Sequence, residues 1–531
     1  MALLLREIAL ELGAEESALP GKLCKFLDIP PSELQSWRIV RRGIDARHKP
    51  RILRIYTVEF SIADEEGLLV RRQELRTLER AAPPAPPVVV PIVSRPEVVV
   101  VAGMGPAGLF AALHLARCGC AVTLLERGRP VEERVRDVRR FWDSGSLDPE
   151  SNVQFGEGGA GTFSDGKLTT RLNHPWTSFV LQTLVECGAP PEILVQAKPH
   201  VGSDRLRLIL INLRRRLESL GVVLRYRCRL DGLLTAPGGI RGALLNGGEE
   251  ILCSSLVLAP GHSARDTYEM LQRTGVRLDA KPFAVGVRVE HPAELINRIQ
   301  YGLPSHPQLP TAEYALAYND PQSARGIYSF CMCPGGEVVL ASSEAGGVTV
   351  NGMSLRRRDG RFSNSALVVA VRPADFDGHD PLAGVRFQRR LERAAFAAAG
   401  SDYHAPAQNL LAFLGRGDGP LVSSCRPGVR PVDLSALLPP FVNEGLRRAL
   451  PIFERRMHGF ITREATLVGV ETRTSAPLRI VRGEDGQSIS HPGLYPAGEG
   501  AGYAGGIMSA ALDGLRVAEH IVSKERNRSL A

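Results

Sequence analysis

The stretch "EVVVVAGMGPAGLFAALHLARCGCAVTLLERG", from Glu97 to Gly128, decides the fold of this chain. A short apolar strand runs into the turn Gly103-x-Gly105-x-x-Gly108, an alanine- and leucine-rich helix follows, and a second strand ends at Glu126. Strand, glycine turn, helix, strand and acid in this order are typical of a Rossmann unit that binds a dinucleotide. The stretch therefore predicts an α/β fold with a dinucleotide site where the first strand ends.

The residue types of this stretch suit that site. Gly103 permits a tight turn, Gly105 lets a pyrophosphate approach the helix N-terminus, and Gly108 lets helix and strand pack closely. Glu126 stands where an acid can accept hydrogen bonds from ribose hydroxyls, although it could also be a plain acid at a surface strand end. The residues assigned to this part of the site are Gly103, Gly105, Pro106, Ala107, Gly108, Glu126 and Arg127.

Length and composition set the outer limits. A chain of 531 residues exceeds a single core, so two or three domains are expected. Residues 1–13 carry charges and no cleavage site, and no apolar run approaches a membrane span, so we predict neither a signal peptide nor a transmembrane helix. The nine cysteines are scattered, without a C-x-x-C pair or a Cys/His cluster. They predict reduced thiols in the cytoplasm and no metal site.

The net charge of +8 is mildly basic, but the arginines are spread through the chain. Only "RRGIDARHKPRILR" (41–54) approaches the clustered basic stripe that nucleic-acid binding needs. We therefore predict no nucleic-acid partner, and keep RNA as an alternative to be tested.

A proline-dense segment divides the chain. "AAPPAPPVVVPIVSRP" (81–96) predicts an extended, semi-rigid linker. Residues 1–80 before it suggest a small α+β module, with helices near Gly21–Phe26 and Ser32–Trp37 and a strand in "RILRIYTVEFSI". Such a module could be a lid or a dock for a protein partner.

The loop "FGEGGAGTFSDGKL" (155–168) is too rich in glycine for a helix interior and too polar for a buried strand. It is either a flexible linker or a loop whose backbone presses against a large flat ligand. Downstream lie a helix candidate (203–222), short strands (222–226, 229–235, 240–245 and 250–258) and the turn of "LVLAPGHSARD". The last element is "GLYPAGEGAGYAGGIMSAALDGLRVAEHI" (493–521), a strand, a Gly/Glu turn and a helix.

With this layout the chain resembles the glutathione-reductase-type FAD fold. It resembles more closely a family of bacterial and plastid FAD-dependent dehydrogenases, usually described as NAD(P)/FAD-dependent oxidoreductases. The motifs that carry the resemblance are "FGEGGAGTFSDGKLTTR", "LAPGHSARDTYEML", "YSFCMCPGGEVV", "GVETRTSAPLRI" and "GLYPAGEGAGYAGGIMSAALDG". Pro260 stands where such families carry Thr, a mild departure.

The resemblance implies further cofactor contacts. The glycine-rich loop would run along the flavin ring and the pyrophosphate, Glu499 would meet the ribityl and pyrophosphate region, and the turn before Ile507 would aim a helix N-terminus at the flavin. That turn could also be a simple helix cap. The residues so assigned are Gly158, Gly159, Gly161, Ser164, Asp165, Gly166, Lys167, Gly261, Gly498, Glu499, Gly505, Gly506 and Ile507.

Four residues are candidates for catalysis. Lys167 could hold the flavin edge or a substrate anion, and Arg473 could bind a carboxylate in two-pronged fashion or close a domain junction. His262 could be a general acid or a capping residue. Cys331 and Cys333 form C-x-C on a strand, so that both side chains should share a face, either as a redox pair or as small packing residues.

The predicted architecture is an α/β, glutathione-reductase-type FAD-binding Rossmann domain (97–279 and 462–531), with an inserted α+β substrate or cap domain (280–461), the linker (81–96) and the N-terminal module (1–80). The predicted function is a cytoplasmic flavoprotein oxidoreductase, a dehydrogenase that passes hydride between flavin N5 and a small organic substrate. Its reductant is either NAD(P)H, bound transiently in the substrate cleft, or another donor. The alternatives are a flavin-dependent RNA-modifying enzyme and a non-catalytic flavin-binding partner protein.

Overall fold

A computed structural model describes residues 2–83, 92–93, 97–170, 174–376 and 378–530, with side chains as far as residue 526. Most of the linker predicted for 81–96 lies outside the described residues. Among the helices of the described ranges, none is both long and apolar enough to cross a membrane.

The N-terminal module is a four-stranded sheet in the order β2-β3-β1-β4 with two helices. Its elements are β1 (Leu3–Glu11), α1 (Leu19–Leu27), β2 (Ser36–His48), β3 (Arg51–Ser61), α2 (Glu65–Arg71) and β4 (Leu78–Arg80). The first predicted helix and the predicted strand are confirmed. The helix predicted for 32–37 is wrong, because Ser36 and Trp37 pair with β3 and leave only a short 3₁₀ turn, Pro31–Glu33.

A five-stranded parallel sheet, in the order β23-β11-β5-β6-β7, forms the centre of the molecule. Its buried face packs against α3 and the long C-terminal helix α13, in a core of apolar side chains from both segments. The elements up to β11 are β5 (Val98–Ala102), α3 (Pro106–Arg117), β6 (Ala121–Leu125), α4 (Val131–Ser144), α5 (Trp176–Glu186), α6 (Ser203–Ser219), β7 (Val223–Arg225), β8 (Leu230–Ala236), β9 (Gly239–Leu245), β10 (Glu249–Leu252) and β11 (Ser255–Leu258).

The predicted strand–turn–helix–strand of residues 97–128 is confirmed, and strands β8, β9 and β10 form the predicted antiparallel meander. The fold is therefore mixed α/β. The C-terminal strand β23 adds to the edge beside β11, so residues near 495 join the same sheet as β5 at residues 98–102. The remaining elements of the central domain are α7 (Arg265–Arg273), β12 (Leu278–Ala280), β22 (Leu478–Ile480), β23 (Leu494–Pro496) and α13 (Ile507–Leu530).

A seven-stranded sheet, in the order β14-β15-β18-β13-β21-β19-β20, forms a cap over this domain. The elements of the cap are β13 (Phe283–Pro292), α8 (Ala293–Tyr301), β14 (Ala317–Asp320), β15 (Arg325–Cys333), β16 (Glu337–Leu340), β17 (Val350–Met353), β18 (Phe362–Val371), α9 (Ala383–Ala398), β19 (Ala405–Asn409), α10 (Leu410–Leu414), β20 (Val429–Pro431), α11 (Leu434–Leu437), α12 (Pro440–Arg456) and β21 (Thr466–Glu471). Strands β16 and β17 pair with each other in a separate two-stranded sheet. Strand β21 pairs with β13, so the structure places residues 466–471 in the cap rather than in the C-terminal part predicted to begin at 462.

Candidate functional site

A cavity of about 1020 Å³ lies between the carboxyl end of the parallel sheet and the cap. Ligand pockets commonly measure roughly 300–1,000 Å³, so this cavity suits a large molecule. It is lined by the glycine turn after β5, the glycine-rich loop, the turn after β11, the turn before α13 and cap residues of β15. All of the predicted site residues line it except Gly108 and Gly158.

Those two glycines lie behind the cavity wall. A Cβ on Gly108 would stand 1.8 Å from the carbonyl oxygen of Gly103, so its role is the close packing of α3 against the turn. The N–H of Gly158 donates to the carbonyl of Met104 at 2.8 Å, and a Cβ there would lie 2.3 Å from the side chain of Leu210.

Several positions in the cavity wall are glycines, and their lack of a side chain leaves space in the cavity. A Cβ on Gly261, Gly505 or Gly506 would have no atom within 4 Å, and one on Gly105 would approach nothing closer than 4.0 Å. Since all four line the cavity, side chains there would project into the space a ligand needs. Helices α3 and α13 both begin at this wall, so their free N–H groups and positive dipole ends suit an anionic ligand such as a pyrophosphate. The residues present therefore fit a dinucleotide.

Glu126 is more than a free acid at a strand end. Its buried carboxylate accepts backbone N–H groups from Met104, Gly128 and Gly156, each at 2.9 Å. A carboxylate offers about four acceptor positions, so one remains for a ribose hydroxyl. Through its bonds from Met104 and Gly156, Glu126 thus joins the glycine turn to the glycine-rich loop.

The glycine-rich loop is held in place by side chains. Asp165 accepts a two-pronged bond from Arg358 at 2.9 and 2.5 Å, and the hydroxyl of Ser164 donates to the carbonyl of Gly161 and accepts from the N–H of Gly166. Lys167 donates to the carbonyl of Met332 in the cap. The loop is therefore part of the folded cavity wall rather than a flexible linker.

Glu499 and His262 have strongly shifted pKa values. Burial raises the pKa of Glu499 to about 7, opposed by the positive charge of Lys281. Burial lowers the pKa of His262 to about 3, and the charges of Arg473 and Arg265 act in the same direction. His262 is therefore neutral near pH 7, while Glu499 holds its proton on part of the molecules.

Arg473 lines the cavity, but its guanidinium is already paired. It forms a two-pronged bond with Glu392 at 3.0 and 2.8 Å and donates to Ser343 at 2.5 Å. Glu392 also binds Arg265 of α7, at 2.8 and 2.9 Å. This arrangement matches the junction role that was one of the two interpretations of Arg473.

The C-x-C pair departs from the predicted geometry. The pairing of β15 with β18 shifts register between Phe330 and Cys333, and Cys331 has a positive φ of 44°. The regular alternation of a strand, on which the same-face prediction relied, is therefore absent at this pair. Cys331 lies half-buried at the cavity wall, and Cys333 is fully buried behind it.

Buried arginines are the feature that sequence analysis missed. Arg134 donates to the backbone carbonyls of residues 152, 153, 156 and 157 and so fixes the start of the glycine-rich loop. Arg288, on β13, pairs with Glu471 at 3.0 Å. The apolar run "FAVGVRVEH" around Arg288 was a readable signal, because an arginine inside a buried strand needs an acidic partner.

Solved flavoprotein structures show a loose overall similarity to the chain. The brominase Bmp2, described as flavin-dependent, aligns with 81% of this chain and 80% of its own at 13% identity and a TM-score of 0.37. A variant of the halogenase PltM in complex with FAD aligns with 82% of this chain and 71% of its own at 10% identity and a TM-score of 0.39.

Family comparisons give closer matches. Residues 282–474 match a family described as "FAD-dependent protein, C-terminal domain-like", and residues 4–61 match one described as a domain of unknown function. An uncharacterized protein of Clostridium beijerinckii is 45% identical over 536 residues, which cover 99% of each chain. The match of residues 282–474 supports FAD as the cofactor. The chain belongs to the same protein family as its Clostridium beijerinckii relative.

Proposed function

We propose that the chain is a FAD-dependent oxidoreductase, a dehydrogenase that exchanges hydride with a small organic substrate. The observation that carries the proposal is the large cavity on which the glycine turn of 103–108, the glycine-rich loop and the turn of 498–507 converge. These segments are far apart in sequence, and their meeting creates a backbone-lined wall that suits an extended dinucleotide. The family match of residues 282–474 supports the same cofactor.

The chain's own residues would hold the cofactor by position and charge. Gly105 leaves room at the N-terminus of α3, whose N–H groups would bind the pyrophosphate, and Glu126 would offer its remaining acceptor position to the ribose. The N-terminus of α13, after Gly506, would place positive dipole charge at the other end of the ligand. Bound FAD supplies two-electron chemistry at its N5 atom.

The substrate would enter on the cap side of the cavity. Ser329, Phe330, Cys331 and Asn351 line that side, together with the paired Glu471. Glu499 is the group suited to holding or moving a proton there, because its pKa of about 7 lets both protonation states be populated. NAD(P)H would serve as a transient reductant in the same cleft, and the nine free thiols are consistent with a cytoplasmic location.

The test is to purify the protein, identify the released cofactor and follow flavin absorbance anaerobically with NADH, NADPH and dithionite. We expect FAD, with bleaching by dithionite and by at least one nicotinamide. A preparation that takes up no flavin would refute the proposal. Flavin that only dithionite reduces would favour the non-catalytic binding protein, and tRNA binding that weakens steeply with salt would favour the RNA-modifying enzyme.

A further inference from the structure

The two cysteines of the C-x-C segment are held in an unusual arrangement at the cavity. The pairing of β15 with β18 shifts register at this segment, and Cys331 has a positive φ. The Cys333 thiol donates to the backbone carbonyl of Cys331 at 3.5 Å, which places it next to Cys331. Cys331 lines the cavity, and Cys333 is fully buried and does not line it.

Two cations fix the backbone of this segment. Arg288 donates to the carbonyl of Cys331 at 3.1 Å, and Lys167 donates to the carbonyl of Met332, the residue between the cysteines. Arg288 is itself anchored by Asn364 at 2.7 Å and by Glu471. The strand irregularity is therefore supported by charged groups on the glycine-rich loop and β13, and Arg288 is held in turn by Asn364 of β18 and Glu471 of β21.

Charge around Cys331 favours its thiolate. The hydrogen bond from Cys333, together with Arg288 and Lys167, lowers the pKa of Cys331 to about 6, against burial and the negative charge of Glu471. Glu499 is the other acid whose charge interacts with this thiol. The same hydrogen bond and burial raise the pKa of Cys333. The seven other cysteines are buried, and burial raises the pKa of each.

We propose that Cys331 and Cys333 form a thiol–disulfide exchange site for small-molecule disulfides that enter the cavity. Cys331 is the attacking thiol because it is accessible from the cavity, and Cys333 is the resolving thiol because it lies next to it and is shielded. The exchange itself needs no FAD, so it can hold or fail independently of the function proposed above.

The exchange has two balanced steps. The Cys331 thiolate attacks one sulfur of R–S–S–R, a Cys331–S–S–R bond forms, and one R–S⁻ leaves. Cys333 then loses its proton and attacks the Cys331 sulfur, the intramolecular disulfide forms, and the second R–S⁻ leaves. Both leaving thiolates take up protons from solvent. The two protein thiols are thereby oxidised, and the small disulfide is reduced to two thiols.

The test uses the purified full-length protein, first reduced and desalted, then incubated with hydroxyethyl disulfide. After acid quenching, denaturation and alkylation with N-ethylmaleimide, peptide mass spectrometry reports each cysteine. We expect a Cys331–Cys333 peptide that is unalkylated and about 2 Da lighter than the dithiol, because two hydrogens are lost. Cys228, the other cysteine at the cavity wall, is the internal control and should remain fully alkylated.

Variants separate the two roles. Cys333→Ser should trap the mercaptoethanol adduct on Cys331, and Cys331→Ser should leave Cys333 without an adduct. Alkylation of Cys331 by iodoacetamide in the reduced wild-type protein should be faster at pH 7 than that of a free thiol with a pKa near 8.5. Circular dichroism and flavin content of each variant show whether it is folded.

Two results would overturn the proposal: a wild-type protein in which both cysteines remain alkylatable after treatment, or a folded Cys333→Ser variant without an adduct on Cys331. Flavin content is measured on the same samples. Wild type that retains FAD but forms no disulfide would reject only this site, and protein that forms the disulfide but never takes up FAD would reject only the function proposed above.

Discussion

At the scale of single residues, glycines shape the cavity because they have no side chain to fill it. Gly105 has φ −76° and ψ 178°, which any residue can adopt, so its backbone does not require glycine. The reason for glycine is the free space beyond its Cα, where a side chain would enter the cavity.

We therefore expect Gly105→Val to fold but to lose FAD, because the valine side chain would occupy the space of the pyrophosphate. The measurement is flavin content after purification, with circular dichroism to show folding. Gly248→Val is the matched control, since a Cβ there also has no atom within 4 Å but lies in the β9–β10 turn away from the cavity. Full flavin content in Gly105→Val would contradict the assignment.

Glu126 combines a structural and a ligand-binding role. Glu126→Ala leaves three buried N–H groups without their acceptor, each worth about 1–3 kcal/mol. We expect the free energy of unfolding of the flavin-free protein to fall by roughly 3 kcal/mol or more, and FAD binding to weaken by about 1–3 kcal/mol.

Denaturant titration of the flavin-free protein and flavin titration measure the two effects. The exposed acid Glu249, paired with Arg225 on the surface, supplies the control Glu249→Ala, which should change neither. Unchanged stability of flavin-free Glu126→Ala would show that the three bonds do not contribute as described.

Among the elements, helices α3 and α13 determine the geometry of the cavity wall together. They cross closely at Gly514, where a Cβ would stand 2.0 Å from the carbonyl oxygen of Ala107. Both helices begin at the cavity, so their spacing fixes the distance between its two positive dipole ends.

Gly514→Ala should force the helices apart at a cost of about 1–3 kcal/mol, the usual range for overpacking, and should also weaken FAD retention. Thermal unfolding with and without FAD measures both. The control is Gly21→Ala in α1, where a Cβ meets nothing within 4 Å and the better helix former should be neutral or stabilising. Equal behaviour of the two variants would argue against close packing at Gly514.

The sequence predicted the structure correctly where the residues that form an element and line the cavity lie in one continuous stretch. The 97–128 unit was readable because glycine spacing, strand and helix occupy one continuous stretch, and the cavity-lining residues followed from such stretches. The helix predicted for 32–37 failed because pairing with β3 is a contact between distant residues. The bulge at Cys331 and the partner of Arg473 were hidden for the same reason, since both depend on neighbours supplied by other segments.

For the whole molecule, the junction between the central domain and the cap depends on a buried ion cluster. Glu392 of α9 lies between Arg265 of α7 and Arg473, and Glu344 binds Arg265 and Arg389. The neighbouring arginines lower the pKa of Glu392, and Arg389 and Arg265 lower that of Glu344 to about 2. Because of these lowered pKa values, the stability of the junction depends on pH.

Since both carboxyl groups titrate lower in the folded protein than their usual value near 4.3, their stabilisation is complete above about pH 4.5 and is lost as the pH falls toward about 2. Glu392→Gln should cost about 3–5 kcal/mol at pH 7, because buried Arg473 loses its carboxylate partner and buried Arg265 keeps only one, Glu344. It should also make the decline of stability below about pH 4.5 shallower.

Denaturant unfolding at several pH values measures this. Glu444→Gln removes an exposed partner of Arg448 and should cost no more than about 1 kcal/mol. A Glu392→Gln variant as stable as that control at pH 7 would show that the cluster does not hold the junction.

The contact between the N-terminal module and the central domain bears on how shortened forms of the chain will behave. The N–H of Arg42 donates to the carbonyl of Val195 and its carbonyl accepts from the N–H of Ala197, while Lys198 and Pro199, immediately after, line the cavity. If the module is removed, residues 195–197 lose these two backbone hydrogen bonds. A protein that begins at residue 97 would therefore be a poor substitute for the full chain in ligand screening, since the cavity wall at Lys198 and Pro199 would lose the support of the module.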